Sequence, residues 1–203
     1  GPVTYEDADP SPFLQHKLTV SFYHPRTSTS VLVPGYFAAD GNAGETGATA
    51  GDVWRAHLSP TEVGEWTFNT SFVTGQNIAI DLENVAPGAG VQAAGHGFVG
   101  SFEVAETDKR DERDFRGKGM LLPDGKHHLQ HENGEYFIKV GTDSPEDMLA
   151  YEEFDNTKSK HKFLPHVQDW TVDSPTWQGG KGKGIIGGLN YLASAGLNSV
   201  SFL

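Results

Sequence analysis

The sequence predicts a β-sandwich followed by an incomplete α/β segment. Three observations carry this. Apolar and polar residues alternate in short runs over residues 1–104, a dense stretch of charge follows, and helical spacing flanked by apolar runs appears only beyond it. At 203 residues, 36% hydrophobic and 21% charged, the chain has the composition of a globular protein with room for two small domains or one large one. Its 25 glycines and 11 prolines imply many turns.

The first strand is His16–Tyr23, where Leu18, Val20 and Phe22 alternate with Thr19 and Ser21. Val31-Leu32-Val33, then Pro34-Gly35, then Tyr36-Phe37 reads as a strand with a corner. In Asp52–Leu58, Trp54, Ala56 and Leu58 share one face and Arg55 and His57 the other. The turn Ser59–Glu65 leads into a strand that presents Trp66, Phe68, Thr70 and Phe72 together, and Phe98–Val104 repeats the alternation. Residues 105–118 carry charge of both signs and too little apolar surface for a core element, so they read as a linker between a sandwich at 1–104 and a second domain at 119–203.

In the second domain, Met120-Leu121-Leu122 and His127–His131 suit a hairpin around Pro123-Asp124-Gly125. Glu135–Val140 is a compact apolar run expected to be a strand buried on both faces. Ser144-Pro145-Glu146-Asp147 reads as a helix start. Ile185, Ile186, Leu189, Leu192 and Ala193 recur at helical spacing, with Gly196 as the residue that ends the helix, and Asn198–Leu203 is a second buried-type strand. Strand, helix, strand implies a parallel pair. The connection from Gly141 to Gly184 far exceeds the roughly 2–6 residues usual after a strand in such units, and enlarged loops of this kind build the active sites of barrel enzymes. Two parallel strands cannot bury their own faces, so more chain is expected around them.

Net charge −12 argues against nucleic acid as a partner. No apolar run is long enough to span a bilayer, so no membrane partner is expected. The absence of cysteine excludes disulfides and thiol chemistry. Gly1–Thr4 has neither a basic nor an apolar leader region, so an export signal has been removed or lies upstream.

Gly182-Lys183-Gly184-Ile185-Ile186-Gly187 matches the dinucleotide pattern, but no strand precedes it, so a loop entering a helix is the better reading. His127 and His131 would lie about 13 Å apart along a strand, too far for one zinc, and no metal or other cofactor is expected. Trp54 and Trp66 read as core. Tyr36, Trp170 and Trp177 fall in irregular segments, where an aromatic ring either stacks on a sugar or pins its loop. Asp143 follows the end of Glu135–Val140, where a carboxylate would point into a barrel mouth or cap the next helix; Glu146 has the same two readings. Lys158, Lys160, His161, Lys162, His166, Lys181 and Lys183 form a local excess of positive charge, either a solvated loop or a grip on sulfate or carboxylate groups of an anionic glycan.

These segments resemble an architecture of bacterial, often marine, polysaccharide-degrading enzymes. Val33–Asn42, Val53–Pro60 and Gly64–Phe68 resemble their N-terminal immunoglobulin-like domain, whose function is uncharacterised. Asp114–Gly119, Glu135–Lys139, Asp143–Glu146 and Ala150-Tyr151 resemble the start of an apiosidase-like glycosidase (β/α)8 barrel. The resemblance implies a secreted or periplasmic glycoside hydrolase acting on a polysaccharide or oligosaccharide, with the sandwich as an accessory domain. Asp143, Glu146, His166, Trp170 and Trp177 are then its substrate contacts. It also implies that the barrel continues past Leu203, so the two catalytic carboxylates lie outside this sequence and this chain alone is inactive. A non-catalytic carbohydrate-binding module and a domain-orienting sandwich without glycan affinity remain open as alternatives.

Overall fold

The structure is a computed structural model that describes residues 3–9, 11–80, 90–142, 148–158 and 161–201. The chain divides into two compact units, Gly1–Thr107 and Asp108–Leu203.

In the first unit β1 (Thr4–Tyr5) and a single helical turn, α1 (Pro12–Gln15), lead into β2 (His16–His24), β3 (Thr29–Pro34) and β4 (Tyr36–Phe37). The helical turn α2 (Ala43–Thr46), β5 (Ala50–Gly51) and β6 (Trp54–Arg55) come next, then the long β7 (Gly64–Thr74), β8 (Val91–Gln92) and β9 (Val99–Val104). Strands β3, β2, β7 and β8 lie side by side in that order, and β9 joins the same five-stranded antiparallel sheet through β7. Two short ribbons, β4–β6 and β1–β5, complete the unit.

Burial follows the alternation of the sequence. Leu18, Val20, Phe22, Trp66 and Phe72 form a buried cluster, against which Trp54, Ala56, Leu58, Phe68 and Phe102 pack. The corner at Gly35 has a steric cause. The β3 strand stays paired with β2 up to Thr19↔Pro34, then the chain leaves that sheet and Tyr36-Phe37 pairs with Trp54-Arg55. A Cβ at Gly35 would fall inside the Leu18 side chain, so only glycine turns this closely over β2.

Trp66 is fully buried, and its indole N–H donates to the Glu62 carbonyl at 2.9 Å. Its ring lies against His24, centroid to centroid 5.2 Å. His24 is itself buried and spans two segments: Nδ1 meets Thr27 Oγ1 at 2.7 Å and Nε2 meets the Val63 carbonyl at 3.2 Å. A carbonyl only accepts, so Nε2 carries the proton and Nδ1 accepts from threonine.

The second unit opens with a 3₁₀ turn at Phe115–Gly117, then β10 (Leu121–Pro123), β11 (Leu129–His131) and β12 (Tyr136–Phe137) in a three-stranded antiparallel sheet. The hairpin forms around Asp124, whose carboxylate accepts from the Lys126 and His128 amides at 2.8 and 3.2 Å. Then come β13 (Gly141–Thr142), 3₁₀ turns at Met148–Ala150 and Leu164–Asp169, α3 (Lys183–Ser194) and β14 (Ser199–Val200). Gly196 comes after α3 at φ +88°, a conformation that favours glycine. Strands β13 and β14 pair in parallel, Gly141↔Ser199 and Thr142↔Val200. Among the described residues no sheet closes into a barrel.

The run Glu135–Val140 departs from expectation. It is not one strand buried on both faces: Tyr136-Phe137 pairs antiparallel with β11, while Ile138 and Val140 are 71% and 48% exposed. Asn198 explains the break. Its amide donates to the Ile138 carbonyl at 2.9 Å and accepts from the Val140 amide at 2.8 Å, so a side chain takes the hydrogen bonds a neighbouring strand would make. Parallel pairing starts only at Gly141, which abuts the Ser199 carbonyl without room for a Cβ. The helix start expected at 144–147 lies outside the described residues.

Truncating Trp66 removes the most deeply buried ring of the first unit. Trp66→Ala is expected to lower the stability of that unit by about 3–5 kcal/mol, read as a fall in urea midpoint without loss of the second unit's transition.

Candidate functional site

The connection that leaves β13 and returns the chain to α3 holds most of the second unit's chemistry. Three of the 12 residues of α3 are glycine, Gly184, Gly187 and Gly188, an arrangement poor in intrinsic helix propensity. Two of them serve packing. A Cβ on Gly184 would fall on the Lys162 carbonyl and one on Gly187 on the His166 carbonyl, so the helix backbone meets the connection's backbone directly. Gly182, at φ +96°, leaves the space its Cβ would fill to the Trp177 ring. The pattern that looks like a dinucleotide fingerprint is a packing surface.

The helix start is capped from far along the chain. Gly182 at the N-cap has no side chain to offer. Glu153 accepts the Gly182 amide at 2.7 Å. The buried Tyr151 hydroxyl receives the Gly184 and Ile185 amides and donates to Glu153. Burial first, and the Glu153 carboxylate second, push the Tyr151 phenol up to about 12.

The Leu164–Asp169 turn then presents a polar group. His166 Nδ1 lies 2.9 Å from Asp169 Oδ2. The carboxylate holds the proton on Nδ1 and leaves Nε2 as the basic nitrogen. The imidazole packs on Tyr191 of α3, centroids 4.8 Å apart. Asn190 donates to the Asp169 carbonyl and to Ser174 Oγ, both at 3.0 Å. Trp170 donates to the Pro175 carbonyl at 3.3 Å, and the Lys183 ammonium stands 4.5 Å from the centre of its ring. Each member of this group thus has a partner on α3 or within the connection itself.

The structure therefore brings His166 and Trp170 together on one turn, both in contact with α3. Trp177 belongs to a separate ring cluster, stacked on Phe154 at 5.5 Å, edge-on to Tyr151 and bonded to the Glu153 carbonyl at 3.3 Å. Asp143 and Glu146 lie outside the described residues, as does Lys160. Of the connection's cations, Lys162 pairs with Glu152 at 2.7 Å, Lys181 bonds Gln178 and Lys183 covers Trp170. Sequence reading missed Tyr151, Glu153, Asp169, Asn190 and Tyr191. Only the three-residue spacing of His166 and Asp169 was a visible signal; the others act through partners far along the chain, which no local pattern marks. Among the described residues no three His, Asp or Glu side chains converge as a metal site.

Against known proteins, residues 3–73 match DUF5060, a domain of unknown function. No curated protein matches the chain. Among solved structures, a crystal structure described as a putative glycoside hydrolase from Bacteroides vulgatus is similar at 17% identity, with a TM-score of 0.47, over 82% of this chain and 23% of that one. This chain thus spans less than a quarter of that protein's length.

The glycine contacts and the buried phenol each have a measurable consequence. Gly187→Ala is expected to destabilise the second unit by about 1–3 kcal/mol through overpacking. Gly188→Ala, whose Cβ meets nothing nearer than 3.9 Å, is expected to stabilise it by about 0.4–1 kcal/mol; urea unfolding of both variants gives the opposite signs at adjacent residues. For Tyr151 the folded-state value lies above that of an unfolded tyrosine, about 10. Its contribution is present below pH 10 and lost as pH rises toward about 12. Alkaline unfolding should lose that component in Tyr151→Phe, with one fewer late-titrating phenol in the absorbance titration.

Proposed function

We propose that the chain is part of a glycoside hydrolase that acts on a polysaccharide outside the cytoplasm. In this reading the first unit is an accessory immunoglobulin-like sandwich and the second begins a (β/α) barrel of the apiosidase-like kind. The observation that carries it is the β13–α3–β14 unit: a parallel pair whose connection, residues 143–182, is several times the usual length and holds an ordered His–Asp pair and a tryptophan. The exposed Ile138 and Val140 support further chain packing on this sheet, because two parallel strands leave apolar surface open. The sequence resemblance to polysaccharide-degrading enzymes points the same way.

In the mechanism this implies, Trp170 offers a ring for a pyranose face and His166 Nε2 accepts a sugar hydroxyl, with Asp143 and Glu146 as further contacts and Trp177 as a wall of the connection. Hydrolysis itself needs two carboxylates flanking the scissile bond, and in this reading they belong to strands beyond β14.

The test is affinity electrophoresis of this chain through gels containing neutral and anionic polysaccharides, alongside an assay for new reducing ends. Retardation by at least one polymer is expected, weakened about three- to tenfold in Trp170→Ala, with no reducing ends released. Retardation that ignores both Trp170→Ala and His166→Ala would overturn the assignment of the connection as a glycan site. Turnover by this chain would overturn the placement of the catalytic carboxylates.

A further inference from the structure

The five-stranded sheet of the first unit has a second face, and its composition is unlike that of the rest of the chain. Opposite the aromatic core, β2, β7 and β9 present a grid of six side chains. Cross-strand register aligns Ser21, Asn69 and Val99 in one row and Tyr23, Thr67 and Ser101 in the next. All six are exposed, Tyr23 by 41% and Val99 by 65%. They line a shallow depression of about 530 Å³. Strand and row spacings make the grid about 10 Å across by about 7 Å along, the scale of a few sugar rings.

Charge decides what such a grid can bind. The chain has 27 acidic and 15 basic residues, yet none of the six positions carries a charged group. The adjoining row on one side, Thr19 and Ser71, continues the hydroxyls; the row on the other side is a facing pair of carboxylates, Glu65 and Glu103. A polyanion would meet repulsion there and find no cation on the grid. Ser21, Asn69 and Ser101 make no side-chain hydrogen bond among the described residues, so water is their partner and a ligand hydroxyl can replace it without breaking a protein contact. Thr67 donates to the Tyr23 carbonyl at 3.3 Å, a cross-strand tie beside the exposed ring.

We infer that this face is a binding surface for a neutral, hydroxyl-rich polysaccharide, with the Tyr23 ring under a sugar face and Ser21, Asn69 and Ser101 on its hydroxyls. This deepens the reading of the chain as glycan-handling, and assigns a contact to residues of the first unit in addition to the His166–Trp170 group of the second. The occupant is an uncharged polymer because the grid offers hydrogen bonds and a ring but no countercharge.

The experiment is affinity electrophoresis of the full chain in an uncharged β-glucan and in a sulfated galactan, comparing Tyr23→Ala, Asn69→Ala and Ser101→Arg with Trp170→Ala, and sedimentation of each in free solution. Expected are retardation by the uncharged polymer only, a three- to tenfold loss in Tyr23→Ala and a comparable loss in Ser101→Arg, each adding to the separate loss that Trp170→Ala produces. Retardation that persists in all three sheet variants overturns the face as a glycan site. Loss confined to Trp170→Ala does so too while leaving the hydrolase reading intact. A dimer that Tyr23→Ala dissociates, with no glycan retardation, would assign the face to a second copy of the chain and likewise overturn the proposal.

Discussion

Where Gly187 would begin a side chain, the carbonyl oxygen of His166 already stands. The second unit depends on that contact and on its counterpart between Gly184 and Lys162. A parallel pair of two-residue strands contributes few hydrogen bonds of its own, and the crossing helix must hold it. Yet α3 spends three positions on glycine, each roughly 1 kcal/mol worse than alanine in a helix. Propensity therefore does not explain the helix. Close backbone approach does: with no Cβ in the way, the Lys162–Asp169 segment reaches the helix surface, where Asn190 holds the Asp169 carbonyl and Tyr191 packs on His166. Tyr151 and Glu153 supply the cap that Gly182 lacks, so helix and connection each need the other to form.

In the first unit the governing constraint is the two-sidedness of β7. Its inward positions carry Trp66, Phe68 and Phe72, and ring contacts continue outward from them: Trp54 on Phe72 at 5.0 Å and Phe37 on Trp54 at 5.4 Å. That chain of rings binds the β4–β6 ribbon to the sheet without a strand pairing between them. Gly100 belongs to the same logic. It faces Phe68 in register, and a Cβ there would approach the ring to 2.7 Å, so the missing side chain on β9 is filled by the ring on β7. His16 joins the cluster, its ring 5.4 Å from that of Trp54, and burial lowers its imidazole's affinity for a proton.

Period-two alternation made β2, β7 and β9 readable from sequence because each has one wet face and one dry one; over Asp52–Leu58 it marked the inward side chains, but only Trp54–Arg55 pairs as a strand. The Gly35 corner and the hairpin at Asp124-Gly125 were readable because turns demand particular residues. The two-residue strands β1, β5 and β8 left no trace, being too short to show a period. The run Glu135–Val140 misled for an instructive reason. Its composition is that of a buried strand, but Asn198, far along the chain, satisfies its backbone with a side chain, and composition carries no record of such a partner. The glycine pattern was readable as a loop entering a helix because no strand precedes it, although spacing alone does not distinguish room for a phosphate from room for a carbonyl. In the candidate site, His166 and Trp170 stood out by residue type, whereas Tyr151, Glu153 and Asn190 matter only through distant contacts.

The two surfaces proposed to meet sugar are chemically unlike, and the difference suits polymer recognition. A hydrogen bond to a neutral sugar replaces one to water, so each contributes little net free energy, on the order of 1 kcal/mol. A flat hydroxyl-and-amide face such as that around Asn69 therefore binds one ring weakly, and gains strength only from a ligand that repeats itself. A polymer does so: when one segment leaves, the next is already at hand, and a second weak contact elsewhere on the chain acts at high effective concentration. The ordered His166–Asp169 pair has the opposite character, a single polarised nitrogen held by a carboxylate and an aromatic floor, which favours one hydroxyl in one orientation. Weak, repetitive holding on the sheet and oriented contact on the connection are thus complementary demands that one kind of surface could not meet.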